Sequence, residues 1–241
     1  METNKEFSII IPAAGIGKRM KSYGPKALIR IGDSNVLDRQ LTILQNLYPK
    51  SDIVIVAGFE DTKIKDFVNQ WKNERIVGSR DIKVVTNKNY SQTNVAKSIG
   101  LATEYCSKDN YLIVYGDLVF NTETLSEINW YRSGVLLDNQ NQFDKLEVGV
   151  IIDDQTSQIT KFCYDSQIKW SQICYLAKDD MNLFLELLDN GNRNRFFTFE
   201  IFNLMLDKMH LKPYFNEKSK IVELDYSEDI QSAKKLVRGQ I

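Results

Sequence analysis

The first half of the chain alternates short apolar runs with segments whose apolar residues recur at helical spacing. The apolar runs cover residues 7–13, 52–59, 81–87 and 110–117. Continuous apolar runs of this length are typical of strands buried on both faces, and strands separated by helices form parallel sheets through right-handed crossovers. The predicted fold class is therefore α/β, with a mostly parallel central sheet and helices on both faces.

The second half has a different pattern, because its apolar runs are shorter and are separated by turn-forming residues. The runs at 134–138, 147–153, 158–162 and 171–177 predict antiparallel hairpins that form a small region of their own. The segment "KIVELD" predicts a late strand. A closing helix follows it, with Ser227 expected at its cap and Gly239 just past its end.

No repeat and no linker-like segment divides the chain, so we expect one domain over residues 1–241. It would consist of a first part over about 1–130, a second part over about 131–215 and the closing strand and helix over 216–241.

The composition limits the classes of function. A formal net charge of −1 gives no broad positive field for nucleic acid or for an anionic membrane surface. The single histidine, His210, argues against a His-rich zinc site and against a Ser-His-Asp triad. The three cysteines lack CxxC spacing and predict free thiols in the reducing cytoplasm. The apolar run near the start of the chain is too short for a signal peptide or a membrane span.

Two glycines follow the first predicted strand directly and precede basic residues. In "PAAGIGKRMKSYGPKAL", Gly15 and Gly17 come before Lys18 and Arg19, and Lys26 follows a proline. Ligands of parallel sheets bind beyond the carboxyl ends of the strands, where glycine lets backbone N–H groups approach phosphate oxygens. The segment therefore predicts a phosphate-binding loop. The alternative is a plain turn with solvated basic residues.

This loop differs from two familiar phosphate motifs. Met20 stands where the dinucleotide fingerprint GxGxxG requires its third glycine, and the Walker pattern of GxxxxGK followed by Ser or Thr is absent. A different phosphate-binding arrangement is therefore expected.

Two acidic residues end apolar strands of the predicted sheet. Asp117 follows Gly116 in "VYGDLVF", and Asp225 ends the strand in "IVELDYSEDI". Two carboxylates together with nucleotide phosphates can complete an octahedral Mg²⁺ site. Asp117 could instead cap a helix or turn, and Asp225 could form a capping pair with Glu228.

Polar residues also follow the third predicted strand, in "NKNYSQTNVAKSIGLA". They could read a base or a ribose by hydrogen bonds, although Thr93 or Asn94 could equally be an ordinary helix cap. The residues of this set are Asn87, Thr93, Asn94 and Ser98.

Aromatic residues in the second half could form a box for a quaternary ammonium group or belong to the core. Among Trp130, Tyr131, Trp170 and Tyr175, we take Trp170 and Tyr175 as the candidates for acceptor binding.

These motifs together resemble the signature of the nucleotidyltransferases that activate sugar phosphates and related phosphorylated alcohols. The segment "NKNYSQTNVAKSIGLA" is similar to that of the phosphocholine-type cytidylyltransferases, although Val95 stands where such proteins often have a second asparagine. The resemblance spans nearly the whole chain. It implies a Rossmann-like nucleotidyltransferase fold, with the nucleotide in the first part and the acceptor in the second.

The resemblance also implies roles for single residues. Arg19 and Lys26 would bind the triphosphate, with Lys26 at the α-phosphorus, while Asp117 and Asp225 would hold Mg²⁺. Glu200 would contact the acceptor. The loop whose backbone would line the base and phosphates consists of Ala13, Ala14, Gly15, Ile16 and Gly17, with Lys18 beside it.

The function expected from this resemblance is the transfer of NMP, first of all CMP from CTP, to a phosphorylated or phosphonate small molecule. Two alternatives stay open: a sugar-1-phosphate uridylyl-, thymidylyl- or guanylyltransferase, and a non-catalytic nucleotide-binding module. A glycosyltransferase is disfavoured because "GDLV" lacks the second acid of a DxD pair. We expect no nucleic-acid or membrane partner, and a homodimer is compatible with the sequence.

Overall fold

A computed structural model describes residues 6–75, 81–139, 147–190 and 193–241. The strands are β1 (Ser8–Ala13), β2 (Arg30–Ile31), β3 (Ser34–Asn35), β4 (Ile53–Ala57), β5 (Ile82–Thr86), β6 (Tyr111–Val114), β7 (Leu118–Phe120), β8 (Gly134–Asp138), β9 (Val148–Ile152), β10 (Ile159–Tyr164), β11 (Ile168–Leu176), β12 (Lys212–Phe215) and β13 (Ile221–Glu223). The α-helices are α1 (Val36–Leu47), α2 (Asp61–Glu74), α3 (Val95–Thr103), α4 (Glu123–Ser126), α5 (Lys178–Asp189), α6 (Thr198–Leu206) and α7 (Asp229–Val237).

The four strands predicted in the first half form the parallel part of the main sheet. Strand β1 lies between β4 and β6, and β5 lies outside β4, with all these pairs parallel. Helices α1 and α2 pack on one face of this sheet, and α3, α5 and α6 pack on the other. Successive residues of β1 point to opposite faces, so Ile9 and Ile11 join one core and Ile10 joins the other. The predicted α/β class with helices on both faces is confirmed.

The hairpins of the second half extend this same sheet and do not form a separate one. Strand β11 pairs antiparallel with β6, and it also pairs with β8 and β9. Strand β12 then pairs parallel with β8. Because β6 pairs with the last four residues of β11, the two halves of the chain share one sheet.

The closing segment returns to the start of the fold. Strand β13 pairs antiparallel with β7, and α7 packs with Met20 and Ile29 in a third apolar cluster. Helix α7 begins at Asp229, not beside Ser227, because the Asp229 carboxylate accepts the backbone N–H groups of Asp225 and Tyr226 at 2.8 and 2.6 Å.

Within the described residues, none of the helices combines the length and the apolar character that a bilayer crossing requires. All three cysteines are free thiols.

Candidate active site

A cleft of about 330 Å³ opens beyond the carboxyl ends of β1 and β6. Residues of the first half, the β9–β11 hairpins and the closing segment all contribute to its walls. The lining residues are Pro12, Ala14, Gly15, Arg19, Tyr90, Thr93, Asn94, Val95, Ser98, Tyr115, Asp117, Glu147, Val148, Tyr164, Trp170, Gln172, Phe197, Thr198, Phe199, Glu223 and Asp225.

One left-handed glycine lies in the loop after β1, between the lining residues Gly15 and Arg19. Gly17 has φ +62°, and a 3-10 helical segment, Lys18–Tyr23, begins directly after it. A Cβ at position 17 would lie 3.2 Å from Cγ of Lys26, so this glycine also makes room for the lysine. Met20 is buried against α7 and anchors the segment. This core role explains why the third glycine of a dinucleotide fingerprint has no place here.

Lys26 contacts two of the predicted acids directly. Its Nζ lies 3.0 Å from Oδ2 of Asp117 and 2.6 Å from Oδ1 of Asp225. Burial opposes the charged ammonium, but the two carboxylates outweigh it and raise the pKa of Lys26 above its ordinary value. Arg19 lies 3.1 Å from Oδ2 of Asp225, so each oxygen of that carboxylate contacts one basic side chain.

Backbone contacts fix the two acid-bearing segments against each other. The buried Gln40 of α1 donates to the carbonyls of Tyr115 and Leu118, both at 2.8 Å, and holds the turn that carries Asp117. The Leu224 N–H donates to the Asp117 carbonyl at 3.0 Å. The positions of Asp117 and Asp225 therefore follow from the packing of α1 and the pairing of β7 with β13.

A third acid, Glu223, joins this cluster and was not singled out from the sequence. Ligand oxygens of Asp117, Glu223 and Asp225 all lie within 4.8 Å of one another. Burial, followed by the nearby Asp117 carboxylate, raises the pKa of Glu223 to about 7, although Lys169 opposes the shift. Three converging carboxylates are the donor set that hard divalent cations prefer, so the cluster fits Mg²⁺.

The polar residues after β5 divide into two groups. Thr93, Asn94 and Ser98 line the cleft. Asn87 is buried, and its amide donates to Thr93 Oγ1 at 2.9 Å and to Ser98 Oγ at 3.1 Å. Asn94 is also the N-cap of α3, where its Oδ1 accepts the Val95 N–H at 3.0 Å. Asn87 therefore supports the lining residues from behind the cleft.

The structure places the three residues predicted to bind the acceptor in different surroundings. Trp170 lines the cleft, but Tyr175 lies on the other face of the sheet, where it stacks with Trp130 at 6.3 Å between ring centroids. Glu200 is not a lining residue either, and its carboxylate accepts the Phe197 N–H at 2.7 Å at the start of α6. Of the predicted acceptor residues, the structure therefore brings Trp170 to the cleft wall and places Tyr175 and Glu200 outside its lining. Three aromatic rings that the sequence analysis did not select also line the cleft: Tyr164 and Phe197 are exposed, and Phe199 is half-buried.

Within the predicted loop Ala13–Gly17, Ala14 and Gly15 line the cleft and Gly17 does not. Ala13 and Ile16 are half-buried and do not line the cleft. The side chain of Lys18 is outside the part of the chain that the structure describes.

Solved structures with a similar fold include two nucleotide-dependent enzymes. The CTP:phosphocholine cytidylyltransferase from Streptococcus pneumoniae is 17% identical, with a TM-score of 0.74 over 95% of this chain and 98% of that one. A UDP-glucose pyrophosphorylase, solved with UDP-glucose, is 14% identical, with a TM-score of 0.76 over 98% of this chain and 99% of that one. At these identities the likeness establishes the fold alone.

Sequence comparison gives the family. The bifunctional protein GlmU of Thermodesulfovibrio yellowstonii is 24% identical over an alignment 257 positions long, which covers 98% of this chain. The chain spans about half of the length of that relative, with 53% covered. The family described as the MobA-like NTP transferase domain matches residues 9–130, which is more than half of the chain. The chain therefore belongs to the MobA-like NTP transferase domain family.

Proposed function

We propose that this chain is a nucleotidyltransferase that moves NMP from an NTP to a phosphorylated or phosphonate small molecule and releases pyrophosphate. One observation carries the proposal. Lys26 and Arg19, two basic side chains of the segment that follows β1, contact carboxylates of the acidic cluster in the cleft beyond β1 and β6. A triphosphate requires fixed cations and a divalent ion at one place, and this cluster can supply both.

The acceptor needs no general base in this reaction. A phosphate oxygen is already anionic at neutral pH and can attack the α-phosphorus in line, so a catalytic histidine is not required. The barrier comes mainly from repulsion between anions and from charge that builds on the departing pyrophosphate. Lys26 would neutralise charge at the α-phosphorus, and Arg19 would bind the departing pyrophosphate oxygens.

Asp117, Glu223 and Asp225 are the residues that would hold Mg²⁺. When bound there, the ion would neutralise triphosphate charge and polarise the reacting phosphoryl group. Lys26 and Arg19 would then contact phosphate oxygens while the three carboxylates contact the ion.

The nucleoside side of the cleft would be formed by Gly15, Thr93, Asn94 and Ser98, supported by Asn87. Their backbone groups, hydroxyls and amide can hydrogen-bond to a base or ribose. CTP is the first candidate, because the segment containing Thr93 and Asn94 resembles that of phosphocholine-type cytidylyltransferases. The CTP:phosphocholine cytidylyltransferase from Streptococcus pneumoniae shares this fold.

The acceptor side of the cleft is aromatic and carries an acid. Tyr164 and Phe199 have ring centroids 5.5 Å apart, and Phe199 stacks with Phe197 at 5.9 Å. Glu147 also lines the cleft, where it pairs with Lys169. Aromatic faces suit a cationic head group. Phosphocholine and aminoalkylphosphonates are therefore the acceptors to test first.

The decisive experiment measures pyrophosphate released from each NTP in the presence of Mg²⁺. The acceptor panel contains phosphocholine, an aminoalkylphosphonate, a polyol phosphate and a sugar 1-phosphate. We expect release that depends on the acceptor and is strongest with CTP and a cationic acceptor. Preference for a sugar 1-phosphate with another NTP would identify a sugar-nucleotide enzyme. Bound nucleotide without release on any acceptor would contradict the proposal and indicate a binding module.

A substitution at Asp117 tests whether this activity depends on the acidic cluster in the cleft. Asp117→Asn should lower pyrophosphate release on the order of 100-fold or more at saturating Mg²⁺, with its circular dichroism spectrum unchanged. Asp154→Asn, at an exposed position between β9 and β10, is the matched control and should retain full activity. Near-normal release by Asp117→Asn would show that the site is assigned wrongly.

A further inference from the structure

Arg19 lines the cleft and has two side-chain contacts, one to an acid and one to an aromatic ring. Its Nη1 lies 3.1 Å from Oδ2 of Asp225. Its guanidinium carbon lies 5.5 Å from the centre of the Tyr226 ring, which is within the range of a cation–π contact. Among the residues that the structure describes, Arg19 has no other ion pair or ring contact. Because its side chain is 56% exposed, its orientation depends on these two neighbours.

The packing of neighbouring residues fixes Arg19 and Tyr226 relative to each other. Met20, directly after Arg19, is buried in the same apolar cluster as Ile230 of α7. The Tyr226 N–H donates to the Asp229 carboxylate at 2.6 Å, and the Tyr226 carbonyl accepts the Asp229 N–H at 3.1 Å. The backbone of Tyr226 is therefore held at the start of α7, beside the segment that carries Arg19.

The two contacts of Arg19 differ in what happens to them when the reactants bind. Asp225 also contacts Lys26 at 2.6 Å and is one of the three carboxylates that would hold Mg²⁺. A carboxylate whose charge is neutralised by a divalent ion attracts a second cation less strongly. The Tyr226 ring is not a ligand for such an ion, and it does not line the cleft. Its contact with Arg19 would therefore remain while the reactants are bound.

We infer that Tyr226 is a positioning residue, which holds the Arg19 guanidinium in the orientation that binds pyrophosphate oxygens. A flexible arginine loses conformational entropy when a ligand orders it, and a side chain that is already held loses less. The planar guanidinium can keep a ring contact while its N–H groups donate to oxygens. The part that Arg19 has in this inference rests on the proposed function.

The test measures the affinity for inorganic pyrophosphate in the presence of Mg²⁺ by isothermal titration calorimetry, without nucleotide or acceptor. Tyr226→Leu removes the ring and should weaken pyrophosphate binding about 2- to 5-fold, as expected for an exposed cation–π contact. The melting temperature of this variant should stay close to that of the wild type, because the ring is 41% exposed. Tyr226→Phe should retain the wild-type affinity, since the contact uses the ring and not the hydroxyl.

Tyr105→Leu is the matched control, because it makes the same chemical change away from the cleft. Tyr105 is exposed, and its carbonyl accepts the Lys83 ammonium at 3.0 Å. Lys83 lies near the start of β5, at the end of the parallel strands opposite the cleft. This variant should bind pyrophosphate like the wild type.

The Arg19→Met background shows whether the effect passes through Arg19. Arg19→Met should itself weaken pyrophosphate binding about 10-fold or more, and Tyr226→Leu should weaken it no further there. Equal affinity of the wild type and Tyr226→Leu would overturn the inference, as would an equal loss in Tyr226→Phe and Tyr226→Leu. An undiminished effect in the Arg19→Met background, or a wild type that binds no pyrophosphate, would also overturn it. Pyrophosphate binding that depends on both residues, in a protein that releases no pyrophosphate with any NTP, would support this inference while contradicting the proposed function.

Discussion

Lys26 lies where a cation of the acidic cluster would be expected. Its ammonium is within 3.0 Å of Asp117 and 2.6 Å of Asp225, two of the three carboxylates that would hold a metal ion. A lysine and a divalent ion at the same carboxylates repel each other. The triphosphate would attract Lys26 away from these acids, so nucleotide and metal should each favour binding of the other.

Lys26→Met should therefore have two opposite effects. Pyrophosphate release should fall on the order of 100-fold or more, because a fixed positive charge at the α-phosphorus is lost. The affinity for Mn²⁺, measured without nucleotide by the electron paramagnetic resonance signal of the free ion, should rise, because the competing ammonium is absent. Lys161→Met, at an exposed position of β10, is the matched control for both assays. A variant with unchanged Mn²⁺ affinity would show that Lys26 does not compete with the metal.

The chemistry of single residues was only partly readable from the sequence. Asp117 and Asp225 could be selected because each follows an apolar strand. Glu223 stands two residues before Asp225, and residues two apart share a face of an extended chain, so the "ELD" spacing could have revealed it. Gln172, which also lines the cleft, gave no such signal, because neither glycine nor proline marks its left-handed backbone, φ +57°. Its conformation is set by tertiary pairing.

At the level of the secondary-structure elements, we expect Gly116 and Gly100 to differ in how well they tolerate an added methyl group. A Cβ at Gly116 would lie 2.8 Å from Cβ of Ala13 and 3.0 Å from the Pro12 carbonyl oxygen, which belong to the neighbouring strand β1. A Cβ at Gly100 in α3 would meet the flexible end of Leu188 at 2.9 Å. Backbone and short side chains cannot move aside as a leucine tip can.

Gly116→Ala should lower the free energy of unfolding by about 1–3 kcal/mol, because the turn that carries Asp117 must move away from β1. Gly100→Ala should stay within about 1 kcal/mol of the wild type, since better helix propensity offsets the contact with Leu188. Urea unfolding followed by circular dichroism measures both. Equal losses in the two variants would mean that the β6 turn is not held as tightly as the distances indicate.

The strands were more predictable than the direction of their side chains. Continuous apolar runs gave the four parallel strands within three residues of their bounds, because burial on both faces leaves a clear signal. Trp170 and Tyr175 are five residues apart, an odd spacing that separates the faces of a regular strand, and the structure places them in different cores. That spacing could have warned against assigning both to one acceptor site.

At the scale of the whole molecule, the proposed nucleotide and acceptor parts are joined at two places. Strands β6 and β11 pair along four residues of each, from Val114–Ile173 to Tyr111–Leu176. The closing segment then crosses back, so that β13 pairs with β7 and α7 covers Met20. Neither part could separate without exposing a sheet edge and buried apolar surface. The acidic cluster lies at this junction, because Asp117 follows β6 and Glu223 ends β13.

The protein should therefore unfold in one cooperative transition, as expected for the single domain over residues 1–241. Three tryptophans allow a direct test, because Trp71 lies in α2 of the first part, Trp130 donates to the Tyr48 hydroxyl of that part at 3.3 Å, and Trp170 lies in β11 of the second part. In the double variant Trp71→Phe with Trp130→Phe, fluorescence reports Trp170 in the second part, and in the double variant Trp130→Phe with Trp170→Phe it reports Trp71 in the first. Within each variant, fluorescence and far-ultraviolet circular dichroism should give the same urea midpoint. Different midpoints within one variant would mean that the two parts are separate domains, and the acidic cluster would then be an interface between domains that could open.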